Sequence, residues 1–214
     1  MNSEQKAFIT SMQTTGVTQA EAFGFYDSLE PVSAKFMLGV WKGSECRTGH
    51  IMDGMLTIAP WYGKAFMSTE KVHPLVFEDK SGKKYCVDPR NVFRYIEEPA
   101  MMKLLTKFTQ KVDTGKLSFD SYKLDPVFKT FKTVKSKARL REISYRGTVT
   151  AAMIYDDLIS HFIAYQIHIS GKVAESKVFY FSDNFRCGIG NTLSDNITRI
   201  IGVFFINASV GRFC

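Results

Sequence analysis

A short segment near residue 50 contains side chains that could move protons. His50 and Asp53 lie three positions apart, between the turn-forming residues Gly49 and Gly54. An imidazole and a carboxylate that approach each other can act as a general acid and base, or contribute to a metal site. No third or fourth ligand with metal-type spacing accompanies them, and the Asp-Gly pair is itself typical of a turn. We therefore keep His50 and Asp53 as catalytic candidates and predict no metal site.

Lys64 is a third candidate for chemistry, because it follows two aromatic residues in Trp61-Tyr62-Gly63-Lys64. An amine in such surroundings could bind a carboxylate or a phosphate. It could also form a Schiff base if burial lowered its pKa. The bland alternative is a surface lysine at the end of a strand. The sequence leaves both interpretations open.

The residues around Trp41 alternate in a way that could build one wall of a ligand pocket. In a strand over 38–47, Trp41, Glu45 and Arg47 share one face with two glycines, Gly39 and Gly43. The glycines leave space over the backbone, which a ligand could fill. Alternatively, Trp41 belongs to the core and the glycines let another element pack closely. A buried Glu45–Arg47 pair would be costly unless compensated, which makes it a functional suspect.

A second alternating run extends from Ile143 to Tyr155, with apolar residues or glycine at odd positions and polar residues at several even ones. A period of two predicts strand structure, with Gly147 as a bend, a bulge or a turn between two strands. The pattern also predicts that Tyr145 and Tyr155 share a face. The residues expected to contact a ligand are Trp41, Glu45, Arg47, Trp61, Tyr62, Tyr145 and Tyr155.

Most of the excess positive charge lies in the segment 103–141. It contains eleven Lys or Arg residues and three Asp residues, a net +8 in a chain whose total is +7. Aromatic residues alternate with lysines around Phe128 and Phe131, a pattern that suits single-stranded nucleic acid or an anionic membrane surface. No RNA-binding signature accompanies the segment, so a solvated helix face is the favoured interpretation.

The elements that must position these residues are short strands with helices around them. Thr18 and Glu21 have capping-box spacing, which predicts a helix that ends before Pro31, after a weaker helix over 3–14. Turn residues at Asp53-Gly54 and at 79–83 predict two hairpins among short strands. The strands are expected at 38–47, 55–67, 72–78 and 84–87, and a helical region at 89–110.

The composition is typical of a globular protein with one domain, or with one domain and a tail. The chain has 214 residues, of which 45% are hydrophobic and 23% charged. Four cysteines without close pairing, and a start unlike a secretory leader, predict a reducing, cytoplasmic location. The sequence contains no phosphate-binding loop, no dinucleotide fingerprint and no nucleophile elbow. This argues against kinases, Rossmann dehydrogenases and α/β-hydrolases, and no motif indicates a cofactor.

Several ordered motifs resemble one known family. Gly39-Val40-Trp41-Lys42-Gly43, followed by Asp53-Gly54-Met55-Leu56 and Trp61-Tyr62-Gly63-Lys64, is similar to the GXWXG-domain family. The motifs Ala138-Arg139-Leu140-Arg141 and Tyr145-Arg146-Gly147 are similar to the domain of unknown function that accompanies it. The resemblance covers roughly 31–90 and 137–158 and implies no established chemistry. After Asp157 the chain departs from the family pattern.

We therefore predict a mainly β fold of the β-rich α+β type, an antiparallel barrel or strongly curved sheet that is lipocalin-like in outline. The expected segments are an N-terminal helical segment (1–30), a GXWXG-type strand block (31–90), a helical basic insertion (91–137), a second block that completes the same barrel (138–158) and a divergent tail (159–214). The leading function is binding of a small apolar molecule inside the barrel. The alternatives are an isomerase, cyclase or hydrolase of a hydrophobic metabolite in the same pocket, and a basic module for nucleic acid or an anionic membrane.

Overall fold

The structure is a computed structural model that describes residues 3–49, 53–96, 99–113, 115–145, 147–156, 160–167, 176–183 and 204–208. The helices are α1 (Ser3–Thr14), α2 (Gln19–Asp27), α3 (Pro89–Ile96), α4 (Pro99–Asp113) and α5 (Asp125–Thr130), with a 3-10 helix at Ser121–Leu124. The strands are β1 (Glu30–Pro31), β2 (Gly39–Glu45), β3 (Trp61–Phe66), β4 (Val72–Glu78), β5 (Lys84–Cys86), β6 (Ala138–Tyr145), β7 (Thr148–Tyr155), β8 (Ser160–Ile167), β9 (Ser176–Asp183) and β10 (Phe204–Ala208).

The strands form one antiparallel sheet that curls into a half-barrel. Their order is β1-β8-β7-β6-β4-β3-β2-β10-β9, with β5 beside β4 and a further pairing between β8 and β9. Val72 of β4 lies opposite Ala138 of β6, so strands from both parts of the chain join the same sheet. The prediction of a mainly β fold with a strongly curved antiparallel sheet, an N-terminal helix and a helical insertion is confirmed.

The helix α2 begins where the sequence predicts. The Thr18 side chain accepts a hydrogen bond from the Glu21 backbone N–H, and a Glu21 carboxylate oxygen accepts one from the Thr18 backbone N–H. This reciprocal capping box satisfies two backbone donors that a helix start leaves without intrahelical partners. The hairpin at 79–83 is confirmed as well, because β4 and β5 pair on either side of it.

The second predicted hairpin, at Asp53-Gly54, is wrong as a tight turn between strands. The strand β2 ends at Glu45 and β3 begins only at Trp61, although the two strands pair. The Asp53 carboxylate accepts hydrogen bonds from the backbone N–H groups of Thr48 and Gly49, at 2.9 and 2.8 Å. Asp53 therefore stabilises a turn inside a longer connection, which the dipeptide alone could not reveal.

The alternating run at 143–155 proves to be two strands, β6 and β7, joined by a turn at Gly147, which has φ +81°. Tyr145 pairs with Thr148, and Tyr155 pairs with Ala138. Directly opposed residues share a face, so Tyr145 and Tyr155 lie on opposite faces of the sheet. The predicted common face is wrong, because the two-residue turn between the paired ends exchanges odd and even positions.

The two faces of the sheet pack against different parts of the chain. We call the face that carries Trp41 the Trp41 face. Its core cluster joins five strands to the 32–37 segment, and its members are Val32, Met37, Trp41, Phe66, Val72, Ala138, Leu140, Ala151, Met153 and Tyr155. On the opposite face, Cys46 and Ala152 pack with the buried residues of α1 and α2, which include Met12 and Tyr26. Burial of both faces explains why β3 and β4 are apolar along nearly their whole length.

Candidate functional site

The second glycine of the Gly39-x-Trp41-x-Gly43 motif makes room for another side chain of the protein. A Cβ atom on Gly43 would overlap the six-membered ring of Trp61, which lies directly over the glycine. The Trp61 indole N–H donates to the Gly63 carbonyl oxygen at 3.0 Å and fixes the ring there. The space that the sequence left open for a ligand at Gly43 is therefore filled by Trp61.

The remaining motif residues serve the same close packing of β2 on β3. A Cβ atom on Gly63 would overlap the carbonyl oxygen of Trp41. Gly39 has φ +129°, a backbone conformation that favours glycine. Trp41 itself is 3% exposed, and its indole N–H donates to the Met37 carbonyl oxygen at 2.8 Å. Trp41 is thus a core residue with a satisfied donor, and direct contact with a ligand stays a prediction.

Glu45 lies at the end of β2, where it meets the connection that contains Asp53. One Glu45 carboxylate oxygen accepts hydrogen bonds from the backbone N–H and the hydroxyl of Thr57, at 3.2 and 3.1 Å. The pKa of Glu45 is raised to about 7, chiefly by burial; the nearby Asp53 carboxylate also raises this pKa, whereas the hydrogen bonds from Thr57 lower it. The structure therefore brings Glu45 and Asp53 close together. Thr57 was missed by the sequence analysis, because nothing in the sequence shows how the long connection folds back.

Arg47 makes its described contact away from Glu45. Its Nη1 donates to the Thr14 carbonyl oxygen at the end of α1, at 2.6 Å. The Arg47 backbone also forms hydrogen bonds with the backbones of Met12 and Val17, so this residue joins the end of β2 to α1 and to the segment between α1 and α2. Glu45 instead accepts its hydrogen bonds from Thr57, and a ligand-binding role for Glu45 and Arg47 stays a prediction.

Lys64 is the most deeply buried charged residue among the candidates. It pairs with Trp41 across β2 and β3 and is 2% exposed. Its Nζ donates to the Pro74 carbonyl oxygen at 3.2 Å. Burial lowers the pKa of Lys64 to about 7. The surface-lysine interpretation is therefore wrong, and the alternative, an amine whose pKa burial depresses, describes this residue.

Among the aromatic candidates, Trp41 and Tyr155 share one core cluster, whereas Tyr62 and Tyr145 pack elsewhere. Trp61 covers Gly43, as described above. Tyr62 packs with Ala65, Val76 and Cys86, and the Lys84 ammonium lies 4.3 Å from the centre of its ring. Tyr155 is 4% exposed within the Trp41-face cluster, whereas Tyr145 packs edge-on against Tyr26 of α2. A ligand-binding role for Tyr62, Tyr145 and Tyr155 stays a prediction.

Two histidines are further candidate acid–base groups. His50 lies outside the described residues, so its relation to Asp53 stays a prediction. Burial lowers the pKa of His73 on β4, and within the described part of the chain its buried Nδ1 has no hydrogen-bond partner.

Among the described residues, no group of three or more His, Cys, Asp or Glu side chains is arranged to hold a metal ion. No described helix is both long and apolar enough to cross a membrane.

The comparisons with known proteins agree with this architecture. A family model described as GXWXG protein matches residues 24–82, and a model of a domain of unknown function (DUF4334) matches residues 136–162. The chain is also similar to a crystal structure of a protein from Thermomonospora curvata. The two share 23% sequence identity and superpose with a TM-score of 0.53, over 96% of this chain and 97% of the other. No curated protein shows significant sequence similarity.

The fold defines a class of mainly β proteins built on a curled antiparallel sheet with helices packed against it, and the solved structure has the same fold. Within that class, this chain carries a GXWXG domain and a companion domain of unknown function. The family resemblance inferred from Gly39, Trp41 and Gly43 is confirmed.

Proposed function

We propose that the chain binds a small, largely apolar molecule against the Trp41 face, with Lys64 as the polar contact. The observation that carries the proposal is the position of the Lys64 amine, which lies opposite Trp41 and is 2% exposed. A lysine withdrawn from water costs folding free energy, and shifted pKa values of this kind cluster at functional sites. Ligand sites typically combine apolar walls with a few buried polar groups, as this face does.

The chemistry of the amine limits the class of ligand. With a pKa of about 7, the Lys64 side chain exists at neutral pH as both the ammonium and the free amine. The ammonium can pair with a carboxylate, and either form can donate to a carbonyl oxygen. The core cluster of the Trp41 face, which includes Phe66, Leu140 and Met153, is apolar. The expected ligand is an apolar molecule with one carboxyl or carbonyl group.

Native mass spectrometry of the purified chain tests this proposal. We expect an extra mass that disappears on denaturation, together with an apolar acid or carbonyl compound in the solvent extract. The extra mass should persist in Lys42→Met, because Lys42 is exposed on the opposite face of β2, and should be lost in Lys64→Met. A well-folded wild-type chain that shows only its own mass would contradict tight binding.

The second candidate function is that of an enzyme that acts on a hydrophobic metabolite. The observation that favours it is the raised pKa of the Glu45 carboxyl beside Asp53. A carboxyl with a pKa of about 7 can take up and release a proton at neutral pH, and Asp53 lies close enough to raise that pKa. An isomerase, cyclase or hydrolase could use Glu45 as its acid or base. A Glu45 carboxyl that titrates near 4.5 by carbon-13 NMR would rule out this role.

A further inference from the structure

Several cations of the basic segment 103–141 form ion pairs within the protein. In its C-terminal part, Lys137 pairs with Asp88 at 2.6 Å, Arg139 with Asp156 at 2.8 Å and Arg141 with Glu70 at 2.8 Å. Lys129 similarly contacts Asp79 and Asp125. These cations bind partners within the protein, so the segment as a whole is not a uniform basic surface.

The helix α4, in the N-terminal part of the segment, carries a row of exposed lysines. Lys103, Lys107 and Lys111 follow each other at intervals of four residues and are all exposed. This spacing places them in a row about 12 Å long on one side of the helix. Leu104 adjoins the row and is 62% exposed.

The buried side of α4 is fixed against the rest of the protein. Thr109 is 1% exposed, and its Cβ lies 3.1 Å from where a side chain on Gly54 would begin. Gly54 belongs to the connection between β2 and β3. Thr109 is about 160° around the helix from Lys107, so the lysine row faces away from this contact. The docked helix therefore presents the lysine row and Leu104 outward.

We propose that this outward side of α4 binds the surface of an anionic phospholipid bilayer. The ammonium groups of Lys103, Lys107 and Lys111 would contact lipid phosphates and carboxylates, while Leu104 would enter the boundary between headgroups and acyl chains. A cationic row beside exposed aliphatic side chains is typical of helices that lie in the membrane interface.

The same surface is less suited to single-stranded nucleic acid. Base stacking requires exposed aromatic rings. Phe108, the aromatic residue of α4, packs edge-on against Phe119 with ring centres 5.0 Å apart. Leu104 offers apolar area without a flat ring. The observations therefore favour a bilayer over a nucleic acid strand.

Vesicle co-sedimentation of the full chain tests the proposal. We expect binding to phosphatidylcholine vesicles that contain phosphatidylserine, weak binding to pure phosphatidylcholine, and loss of binding as salt rises. Replacing Lys103, Lys107 and Lys111 together with glutamine should reduce the partition coefficient more than about tenfold, since each lysine at an anionic surface contributes about fivefold. Leu104→Gln should reduce it by a further several-fold.

The matched control replaces Lys35, Lys42 and Lys71 with glutamine, because all three are exposed and the net charge falls by the same amount. Control binding close to that of the wild type would support a specific α4 surface. Equal losses in the two triple variants would overturn the proposal in favour of general attraction by net charge. Tighter binding to a single-stranded oligonucleotide than to the anionic vesicles would also overturn it. Circular dichroism confirms that each variant is folded.

Discussion

At the scale of single residues, burial shifts the pKa values of Lys64 and Glu45 in opposite directions. Burial lowers the pKa of Lys64 from 10.5 to about 7 and raises that of Glu45 from 4.5 to about 7. Between about pH 7 and pH 10.5, Lys64 is protonated in the unfolded chain and deprotonated in the folded chain. The free energy of unfolding therefore rises with pH above about 7. For Glu45 the folded chain binds the extra proton, so the free energy of unfolding falls as pH rises from 4.5 to about 7.

These opposite dependences on pH predict a shallow minimum in the free energy of unfolding near pH 7. Lys64→Met should remove the rise above pH 7, and Glu45→Gln should remove the fall below it, each by about 1 to 3 kcal/mol. Urea denaturation at a series of pH values measures both. The series should stop below about pH 9, where the thiols of Cys46 and Cys86, whose pKa values burial raises, begin to ionise in the unfolded chain. Parallel curves for the wild type and Lys64→Met would contradict burial of a shifted amine.

At the scale of elements, the GXWXG motif allows β2 to pack closely on β3. Gly43→Ala should reduce the free energy of unfolding by about 2 kcal/mol or more, because the new methyl group meets the ring of Trp61. Gly24→Ala is the control, since its Cβ has no neighbour within 4 Å and alanine favours the helix α2. It should be neutral or stabilising by up to about 1 kcal/mol.

A double-mutant cycle separates this contact from a general effect of alanine in a strand. Trp61→Phe removes the part of the ring that covers Gly43, so Gly43→Ala should cost markedly less in the Trp61→Phe background. Chemical denaturation of the four proteins gives the coupling free energy. Additive costs would show that the glycine is not required by Trp61.

The elements also show how far the sequence could predict this fold. Local signals were sufficient where they act locally, as in the Thr18 capping box and the turn at 79–83. The faces of Tyr145 and Tyr155 depended on whether Gly147 bends one strand or separates two, and a period of two is compatible with both. The end of the Asp53 connection was equally hidden, because residues 46–60 contain turn signals but no periodicity.

The candidate site was predictable only in part, for a related reason. Alternation placed Trp41 and Glu45 on one face correctly, and the aromatic neighbours of Lys64 indicated that burial was possible. The partners that decide the chemistry come from distant positions. The Pro74 carbonyl oxygen accepts a hydrogen bond from Lys64 across a pair of strands, β3 and β4, whose register shifts. Thr57 donates a hydrogen bond to Glu45 because the connection between β2 and β3 folds back. Such contacts depend on tertiary packing, which a single sequence does not reveal.

At the scale of the whole molecule, the structure separates an apolar face that contains a buried amine from an outward cationic helix. The Trp41 face collects apolar side chains from β2, β3, β4, β6 and β7, whereas α4 carries Lys103, Lys107 and Lys111 on its exposed side. The two surfaces involve different residues. Variants of one should therefore leave the other unchanged, which allows ligand binding and membrane binding to be tested independently.

The central claim is that the Trp41 face binds an apolar molecule through Lys64, and titration with cis-parinaric acid tests it most directly. This fatty acid carries a carboxylate on an apolar chain, and its fluorescence increases in apolar surroundings. We expect saturable binding to the wild type and to Lys42→Met, and binding at least about tenfold weaker for Lys64→Met, because loss of a charge-assisted hydrogen bond of 1.5–3 kcal/mol corresponds to about that factor. Equal affinity in all three folded proteins, or no saturable binding to the wild type, would contradict the claim.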